Sequence, residues 1–400
     1  MTVFFCIALQ VHGQGILAPS GGNQNVSHSN PAYFGKPKSS GVAQPITGGV
    51  NPYAWGPISV RPGLGFRYIY GDGLLGRRGE QEDSSLQEIS PNFDFEIGER
   101  FTANYSPTWR IYSDEAFKDV VDHTARFGGQ GQLGTWTLGI DQSYDFRTPS
   151  LIEAGRQTEE ESWGTSLNAF HPFTNTVYYN STLTQDIRDV DEFTDSTDWM
   201  FTNRLHYAPS QQIDYAISGT YGYTDIDPGL NMEYQQYTAS ISLNPSEKTQ
   251  IDLEAGVDVR EFDFNGAEEF SNPIFNATIS YSPRETTSFS ISAERSYESS
   301  LFQDTVVERE GFRLNFRQRL FDKINLSLGY SNATPVFADE LGSSVGARDD
   351  ENDSYDASLS ALVLYKIRMS AFYRHSKNVS SFDGFEFDSD QVGFEARYQY

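Results

Sequence analysis

The sequence is poor in positive charge, in cysteine and in long apolar runs, and each shortage excludes a class of protein. Its 400 residues carry 29 Lys and Arg against 55 Asp and Glu, a formal net charge of -26, which excludes a nucleic-acid partner held through phosphate contacts. Cys6 is the single cysteine, so the chain forms no internal disulfide. No stretch approaches the roughly 18 to 20 apolar residues of a transmembrane helix, which excludes a helical membrane protein.

The chain is nevertheless rich in aromatic residues, and its N-terminal part differs from the remainder. Aromatics make up 14% of the residues, far more than an acidic disordered chain carries. Residues 1–13 are apolar and then small, as in a signal peptide, although the usual positively charged start is missing. Residues 14–57 are rich in Gly, Asn, Ser and Pro without periodicity, which predicts a flexible periplasmic segment.

From residue 58 to residue 400, apolar and polar residues alternate with a period of two. Phe101, Tyr105, Trp109 and Ile111 share one face of a predicted strand, whereas Arg100, Asn104 and Arg110 occupy the other. Similar strands recur to the end of the chain, and we count about 18 of them, with 16 to 18 as the range. The pattern predicts an all-β fold, a transmembrane antiparallel up-and-down β-barrel whose apolar face meets lipid and whose polar face lines a lumen.

The predicted connections alternate in length along the chain. One set is short, as at Ala208-Pro209-Ser210, Phe321-Asp322-Lys323 and Tyr365-Lys366, and the other set is longer and acidic. The acidic set comprises residues 71–85, 147–162, 189–198, 299–310, 334–353 and 376–386. Because membrane barrels have short periplasmic turns and long extracellular loops, we expect the acidic set outside and both termini in the periplasm.

Aromatic residues near strand ends predict girdles at the two lipid interfaces, where amphipathic rings are favoured. The predicted girdle residues are Trp109, Tyr112, Trp136, Trp163, Phe173, Tyr178, Trp199, Tyr207 and Tyr223.

The last strand carries Val392, Phe394, Ala396, Tyr398 and Tyr400 on one face and ends on an aromatic residue. This ending resembles the C-terminal assembly signal of bacterial outer-membrane proteins, with Phe394, Tyr398 and Tyr400 as its residues. The turn-and-strand pattern from Tyr281 to Phe289 likewise resembles bacterial outer-membrane β-barrel porins, including barrels associated with exopolysaccharide export. The resemblance implies a Gram-negative cell-envelope location and insertion by the barrel assembly machinery, but it transfers no active site.

The alternation also assigns charged side chains to the lumen. A predicted basic arc near the closing seam comprises Arg313, Arg317, Arg319, Arg368, Arg374 and Arg397. A predicted acidic strand contributes Asp252, Glu254 and Asp258, and other strands add Asp141, Asp145, Glu294 and Asp356. A basic arc facing acidic residues across a pore would set a transverse field that sorts charged solutes. Alternatively, these charges pair across neighbouring strands and stay solvated.

Other motifs give little support to chemistry or metal binding. Gly342-Ser343-Ser344-Val345-Gly346 matches G-x-S-x-G but lacks the strand-to-helix turn that gives the motif its meaning. Asp349-Asp350-Glu351-Asn352-Asp353 lacks the turn glycine and the final glutamate of a calcium loop. An aromatic path for a sugar would use residues such as Phe372 and Tyr237. We therefore predict no catalysis, no cofactor and no specific metal site.

The sequence thus predicts an outer-membrane porin-like channel for passive passage of small polar or charged solutes. An outer-membrane pore for exopolysaccharide secretion, a structural or adhesive barrel and an outer-membrane hydrolase remain as alternatives. The expected partners are outer-membrane lipid and lipopolysaccharide, the barrel assembly machinery, and small polar solutes or a polysaccharide. A homo-oligomer is compatible with the sequence, although no interface is visible in it.

Overall fold

A computed structural model of the protein describes residues 53–72, 83–115, 117–148, 150–151, 156–263, 270–300, 306–338, 348–364, 366–382 and 385–399. The predicted signal peptide, residues 1–13, and all but the end of the predicted periplasmic segment, residues 14–57, lie outside these ranges. No helix in the described ranges is long and apolar enough to cross a membrane.

The described chain consists of β-strands joined by turns and loops. The strands are β1 (Tyr53–Trp55), β2 (Ile58–Gly71), β3 (Ser84–Ile97), β4 (Phe101–Tyr112), β5 (Val120–Leu133), β6 (Trp136–Arg147), β7 (Ser150–Leu151), β8 (Arg156–Gln157), β9 (Glu160–Pro172), β10 (Val177–Val190), β11 (Asp195–Ser210), β12 (Ile213–Asp227), β13 (Met232–Ser246), β14 (Thr249–Phe262), β15 (Phe270–Arg284), β16 (Thr287–Ser299), β17 (Val306–Leu320), β18 (Ile324–Ala338), β19 (Arg348–Leu364), β20 (Ile367–Ser380) and β21 (Phe387–Gln399).

Eighteen long strands, β2–β6 and β9–β21, form one closed antiparallel barrel in which each strand pairs with its sequence neighbours. The barrel closes between β2 and β21, from the pair Gly63↔Gln399 to the pair Gly71↔Gln391. Short β1 pairs with the first residues of β2, beyond the end of β21, and β7 pairs with β8 within the connection between β6 and β9. Closure leaves no long unpaired edge, which is what a sheet needs in lipid. The predicted fold and strand number are confirmed.

The side chains alternate between two faces, as the sequence predicts. Exposed large apolar residues such as Trp109, Leu167 and Phe201 point outward. Their neighbours along the strands, such as Arg110, Thr202 and Arg204, point into the lumen and are buried. The girdle prediction is wrong for two residues, because Tyr112 and Tyr178 belong to the inward set. Tyr112 packs beside the buried pair Ile69 and Leu86, and Tyr178 stacks on His206 with ring centroids 4.3 Å apart.

The connections at one end of the barrel, here called the turn end, span two to four residues. At the β5–β6 turn, Gly134 has a φ of 62°, and in the β17–β18 turn Phe321 and Asp322 have φ values of 51° and 57°. Positive φ at a tight hairpin turn matches the twist of the flanking strands. The opposite end, the loop end, has connections of 4 to 12 residues.

Strands continue further toward the loop end than the sequence pattern predicted. The predicted loop 334–353 overlaps β18, which runs to Ala338, and β19, which starts at Arg348. The predicted loop 189–198 shrinks to residues 191–194. The acidic run Asp349–Asp353 therefore belongs to β19. These strand ends were predicted as loops because their outward residues are charged, although strand pairing continues through them.

Candidate functional site: the lumen wall

All six residues of the predicted basic arc lie on the lumen face. Arg313, Arg317 and Arg319 alternate on β17 with the outward and exposed Phe312 and Leu314. Arg368 and Arg374 alternate on β20 with outward Met369 and Tyr373, and Arg397 lies on β21 between outward Ala396 and Tyr398. Because β17 to β21 are consecutive neighbours, the arc covers one continuous part of the wall.

The arc extends from the turn end to the middle of the wall. Arg319, Arg368 and Arg397 lie within two residues of a strand end at the turn end. Arg313 and Arg374 each lie seven residues from the turn-end terminus of their strands. At about 3.3 Å per residue, the arc therefore rises roughly 20 Å along the wall.

The arginines of the arc differ in their partners. Arg374 donates from Nε to Asp356 Oδ1 at 2.6 Å, and Arg397 forms an ion pair with Glu395 on its own strand. Within the described part of the chain, Arg313, Arg317, Arg319 and Arg368 form no ion pair, and all four are exposed to the lumen. We call these four the free arginines. Their charge is available to a solute that passes beside them.

The predicted acidic strand, β14, is neutralised by its own neighbours. Asp258 is fully buried and accepts hydrogen bonds from Arg260 Nε at 2.7 Å and from Gln236 Nε2 at 2.6 Å. Glu254 Oε2 lies 2.9 Å from Arg204 Nη2. Asp252 accepts hydrogen bonds from Ser242 at 2.5 Å and Gln250 at 2.7 Å. The predicted pairing of lumen charges across strands therefore holds for Glu254, whereas Asp258 pairs within its own strand and Asp252 is held by hydrogen bonds.

The position of β14 also corrects the predicted transverse arrangement. In the ring of 18 strands, β14 stands only three positions from β17, so its carboxylates do not face Arg313 across the lumen. The strand opposite β17 is β6, nine positions away in either direction. It carries Asp141, which is exposed and accepts a hydrogen bond from Asn168 Nδ2 at 3.2 Å. Across the lumen from β17, the wall therefore carries Asp141 and not the predicted acidic strand β14.

Near the loop end the wall carries a ring of buried and half-buried ion pairs that we call the paired collar. Its best-connected part joins four residues of β2 to β5. Glu88 accepts hydrogen bonds from Arg67 at 3.3 Å and Arg110 at 3.1 Å, and Arg110 lies 2.8 Å from Asp122. Further pairs around the ring are Arg147–Asp145, Arg188–Glu160, Arg260–Asp258, Arg309–Glu298 and Arg348–Asp350.

This collar was not predicted from the sequence. The signal was present in part, because Glu88 is the direct register partner of both Arg67 and Arg110. Opposite charges at directly opposed positions stabilise a strand pair. Finding them requires the register of each hairpin, which the alternation alone does not supply.

The two predicted members of an aromatic sugar path do not share a surface. Phe372 faces the lumen, where its ring fills the space beside Gly393, with the Arg67 guanidinium 5.1 Å from the ring centroid. Tyr237 lies on the outward face and is 55% exposed there. The prediction for Tyr237 is therefore wrong. The G-x-S-x-G segment, residues 342–346, lies outside the described residues.

Two of the three residues of the predicted assembly signal lie on the outward face of the closing strand. Phe394 contacts the outward rings of Phe66 and Tyr68 on β2, with centroid distances of 5.8 and 5.7 Å. Tyr398 is exposed on the same face, and Tyr400 lies outside the described residues. The terminal aromatics therefore help to close the seam, whatever other role they have.

A closed 18-strand barrel with an apolar outside and a charged lumen is a membrane-spanning barrel of the bacterial outer-membrane type.

Comparison with known proteins adds structural similarity without close sequence similarity. No family model matches the chain, and no curated protein matches it. Among solved structures, OccK2 (OpdF) of Pseudomonas aeruginosa is 9% identical, with 85% of this chain and 98% of that chain covered and a TM-score of 0.49. The outer membrane protein opdK from the same organism is 10% identical, with 86% and 98% covered and a TM-score of 0.48. Acinetobacter baumannii OccAB4 is 11% identical, with 85% and 98% covered and a TM-score of 0.46.

Proposed function

We propose that the protein is an outer-membrane channel for the passive passage of small polar or charged solutes, with a preference for anions along the basic arc. The observation that carries the proposal is the set of free arginines on one continuous part of the lumen wall. A charged side chain on the lumen wall that is not neutralised by a neighbour raises the local concentration of oppositely charged solutes.

The pairing elsewhere in the lumen supports the sign of this preference. Two of the three predicted carboxylates on β14, and the carboxylates of the collar, lie against guanidinium groups, so they contribute little net field. Asp141, opposite the arc, and Glu294, beside the arc on β16, form no ion pair in the described part of the chain. A solute with one anionic group and a polar remainder fits between such walls, because its charge is attracted to one side.

The same proposal includes the orientation of the barrel. The short connections of the turn end face the periplasm, and the longer connections of the loop end face outward, as is general for such barrels. Phe394 and Tyr398 then lie on the strand that the barrel assembly machinery receives. The acidic loop end meets lipopolysaccharide.

Conductance of the purified, lipid-inserted protein tests the channel. The folded state is first verified by its heat-dependent shift on a gel, and a boiled sample serves as the control. We expect stable current steps in a planar bilayer and a reversal potential shifted toward that of the anion in a salt gradient. A folded, inserted protein without current would refute the channel. Block by long saccharides without anion preference would instead favour the polysaccharide pore.

A further inference from the structure

One group of metal-ligating side chains lies outside the lumen, on the outward face of β20 and β21 close to the loop end. It consists of His375, Asp388 and Asp390. In the described part of the chain it is the one group in which three His, Cys, Asp or Glu side chains bring ligand atoms within 4.8 Å of one another. The two aspartates are exposed and the histidine is half-buried. We call this group the seam triad, because β21 closes the barrel against β2.

The register of β20 with β21 builds the seam triad. His375 is the direct partner of Asp390, and Asp388 precedes Asp390 by two residues, so it lies on the same face. That face is the outward one, since it continues through exposed Tyr373 on β20 and exposed Val392 on β21. The sequence alone does not reveal the group, because a loop separates the histidine from the two aspartates.

The ligand atoms of the seam triad are spaced as they would be around one ion. His375 Nδ1 lies 3.2 Å from Asp390 Oδ1 and 3.5 Å from Asp388 Oδ1. Two ligand atoms about 2.1 Å from a common ion are about 3.0 Å apart at a right angle and about 3.4 Å apart at the tetrahedral angle. Both observed distances lie in or close to this interval, so the three side chains can hold one divalent cation with little rearrangement.

Neighbouring side chains orient the seam triad. Tyr373 donates a hydrogen bond to Asp390 Oδ1 at 2.5 Å, and the centroid of the Tyr355 ring lies 6.0 Å from that of His375. Metal-ligating side chains are commonly positioned by outer partners of this kind. The ligand set is therefore held in place before an ion arrives.

No cationic side chain of the described structure is bonded to the carboxylates of the triad. Lys377 is the register partner of Asp388, yet within the described part of the chain it forms no ion pair. Asp72 adds a further carboxylate, because its Oδ1 accepts a hydrogen bond from the backbone N–H of Asp390 at 2.5 Å. Carboxylates that converge in this way concentrate cations near them.

We propose that the seam triad binds a divalent transition-metal ion such as Zn²⁺ at the loop end of the seam. The imidazole distinguishes this site from other outward carboxylates, because Ca²⁺ and Mg²⁺ prefer oxygen ligands, whereas Zn²⁺ takes nitrogen and carboxylate oxygen together. The bound ion links β20 to β21 beside the closing pair of strands and keeps open coordination positions toward solvent. It contacts no lumen residue, so the inference does not depend on which solute the channel passes.

Isothermal titration of the purified full chain with Zn²⁺, after chelator treatment and without an affinity tag, tests the proposal. We expect saturable binding by the native protein and a loss of affinity of at least about tenfold in His375→Ala and in Asp390→Asn, because loss of even an outer partner of a metal ligand costs about that much. His123→Ala is the matched control, since His123 also faces outward but bonds Tyr105 at 2.9 Å and forms no ion pair in the described structure. It should bind Zn²⁺ as tightly as the native protein.

The heat-dependent gel shift verifies the fold of each variant, and crystals of the native protein soaked with Zn²⁺ give a readout that needs no variant. We expect an anomalous scattering peak between His375 Nδ1 and the two carboxylates. A native protein that binds no Zn²⁺, a peak only at another place, or unchanged affinity in His375→Ala would overturn the proposal. Displacement of Zn²⁺ by an equal concentration of Ca²⁺ would also overturn it, because carboxylates alone would then form the site.

Discussion

Neutralising two free arginines should lower the preference of the channel for anions by an amount that follows from Coulomb's law. Arg313 and Arg317 lie four residues apart on β17, exposed to the lumen and without an ion pair in the described structure. A monovalent ion about 10 Å from one guanidinium in an aqueous lumen gains or loses about 0.4 kcal/mol. Two arginines therefore separate a monovalent anion from a monovalent cation by about 1.6 kcal/mol before screening.

Salt determines how much of this difference is observed. At about 0.01 M salt the Debye length is about 30 Å, so about two thirds of the interaction survives at 10 Å. The remaining difference of about 1.1 kcal/mol corresponds to about a sixfold change in the ratio of anion to cation permeability. At about 1 M salt the Debye length of about 3 Å removes nearly all of it.

Reversal potentials of the Arg313→Gln and Arg317→Gln double variant, measured in dilute and concentrated salt gradients, provide the assay. Arg295→Gln is the control, because Arg295 lies on the outward face, where it pairs with Glu308 at 2.6 Å. We expect the double variant to lose about sixfold in permeability ratio in dilute salt and the control to stay unchanged. An unchanged double variant, or an equal shift in the control, would refute the assignment of the arc as the selective element.

Three further predictions concern stability and orientation. Glu88→Gln removes the shared carboxylate of Arg67 and Arg110 and should cost about 3–5 kcal/mol in urea unfolding from lipid, whereas Glu96→Gln, at the half-buried Arg61 pair, should cost at most about 1 kcal/mol. Equal losses would show that the collar does not hold buried charge. Gly222→Ala places a methyl group 2.0 Å from Cζ of Tyr234 and should cost about 1–3 kcal/mol, whereas Gly219→Ala meets nothing nearer than 4.0 Å and should be tolerated. In the Cys6→Ser protein, an impermeant thiol reagent on intact cells should label Glu192→Cys at the loop end and spare Glu247→Cys at the turn end; the reverse result would invert the proposed orientation.

The sequence predicts the strands and their faces well because both depend on local alternation. Residues such as Phe101, Trp109 and Arg313 fall on the expected faces, since a side-chain period of two is fixed by the strand itself. The girdle prediction failed for Tyr112 and Tyr178 because an aromatic residue near a strand end reaches the lipid interface only if its side chain points outward. The alternation along the strand must therefore assign the face of a residue before its type is used to predict a girdle.

The relations between distant strands could not be predicted in the same way. Whether β14 faces β17 depends on the number of strands and on the position of both in the closed ring, and an error of two strands moves the opposite wall. The partners of Asp258 and Glu254 also depend on register, which the alternation leaves open. The sequence thus identified lumen charges but could not separate paired carboxylates from free arginines.

This separation explains why the net charge of -26 does not set the selectivity of the lumen. Many carboxylates at the loop end lie on the outer surface, where they accept hydrogen bonds from outward tyrosines. Tyr330 donates to Asp353 at 2.7 Å, Tyr373 to Asp390 at 2.5 Å and Tyr70 to Asp83 at 2.9 Å. At about 0.1 M salt, a Debye length of about 10 Å screens such exterior charges from a solute at mid-depth in the lumen. Only charges on the lumen face that lack a partner act at that depth, and on β17 and β20 these are arginines. An acidic protein can therefore present a locally anion-attracting path, because each residue contributes to selectivity according to its face and its partner.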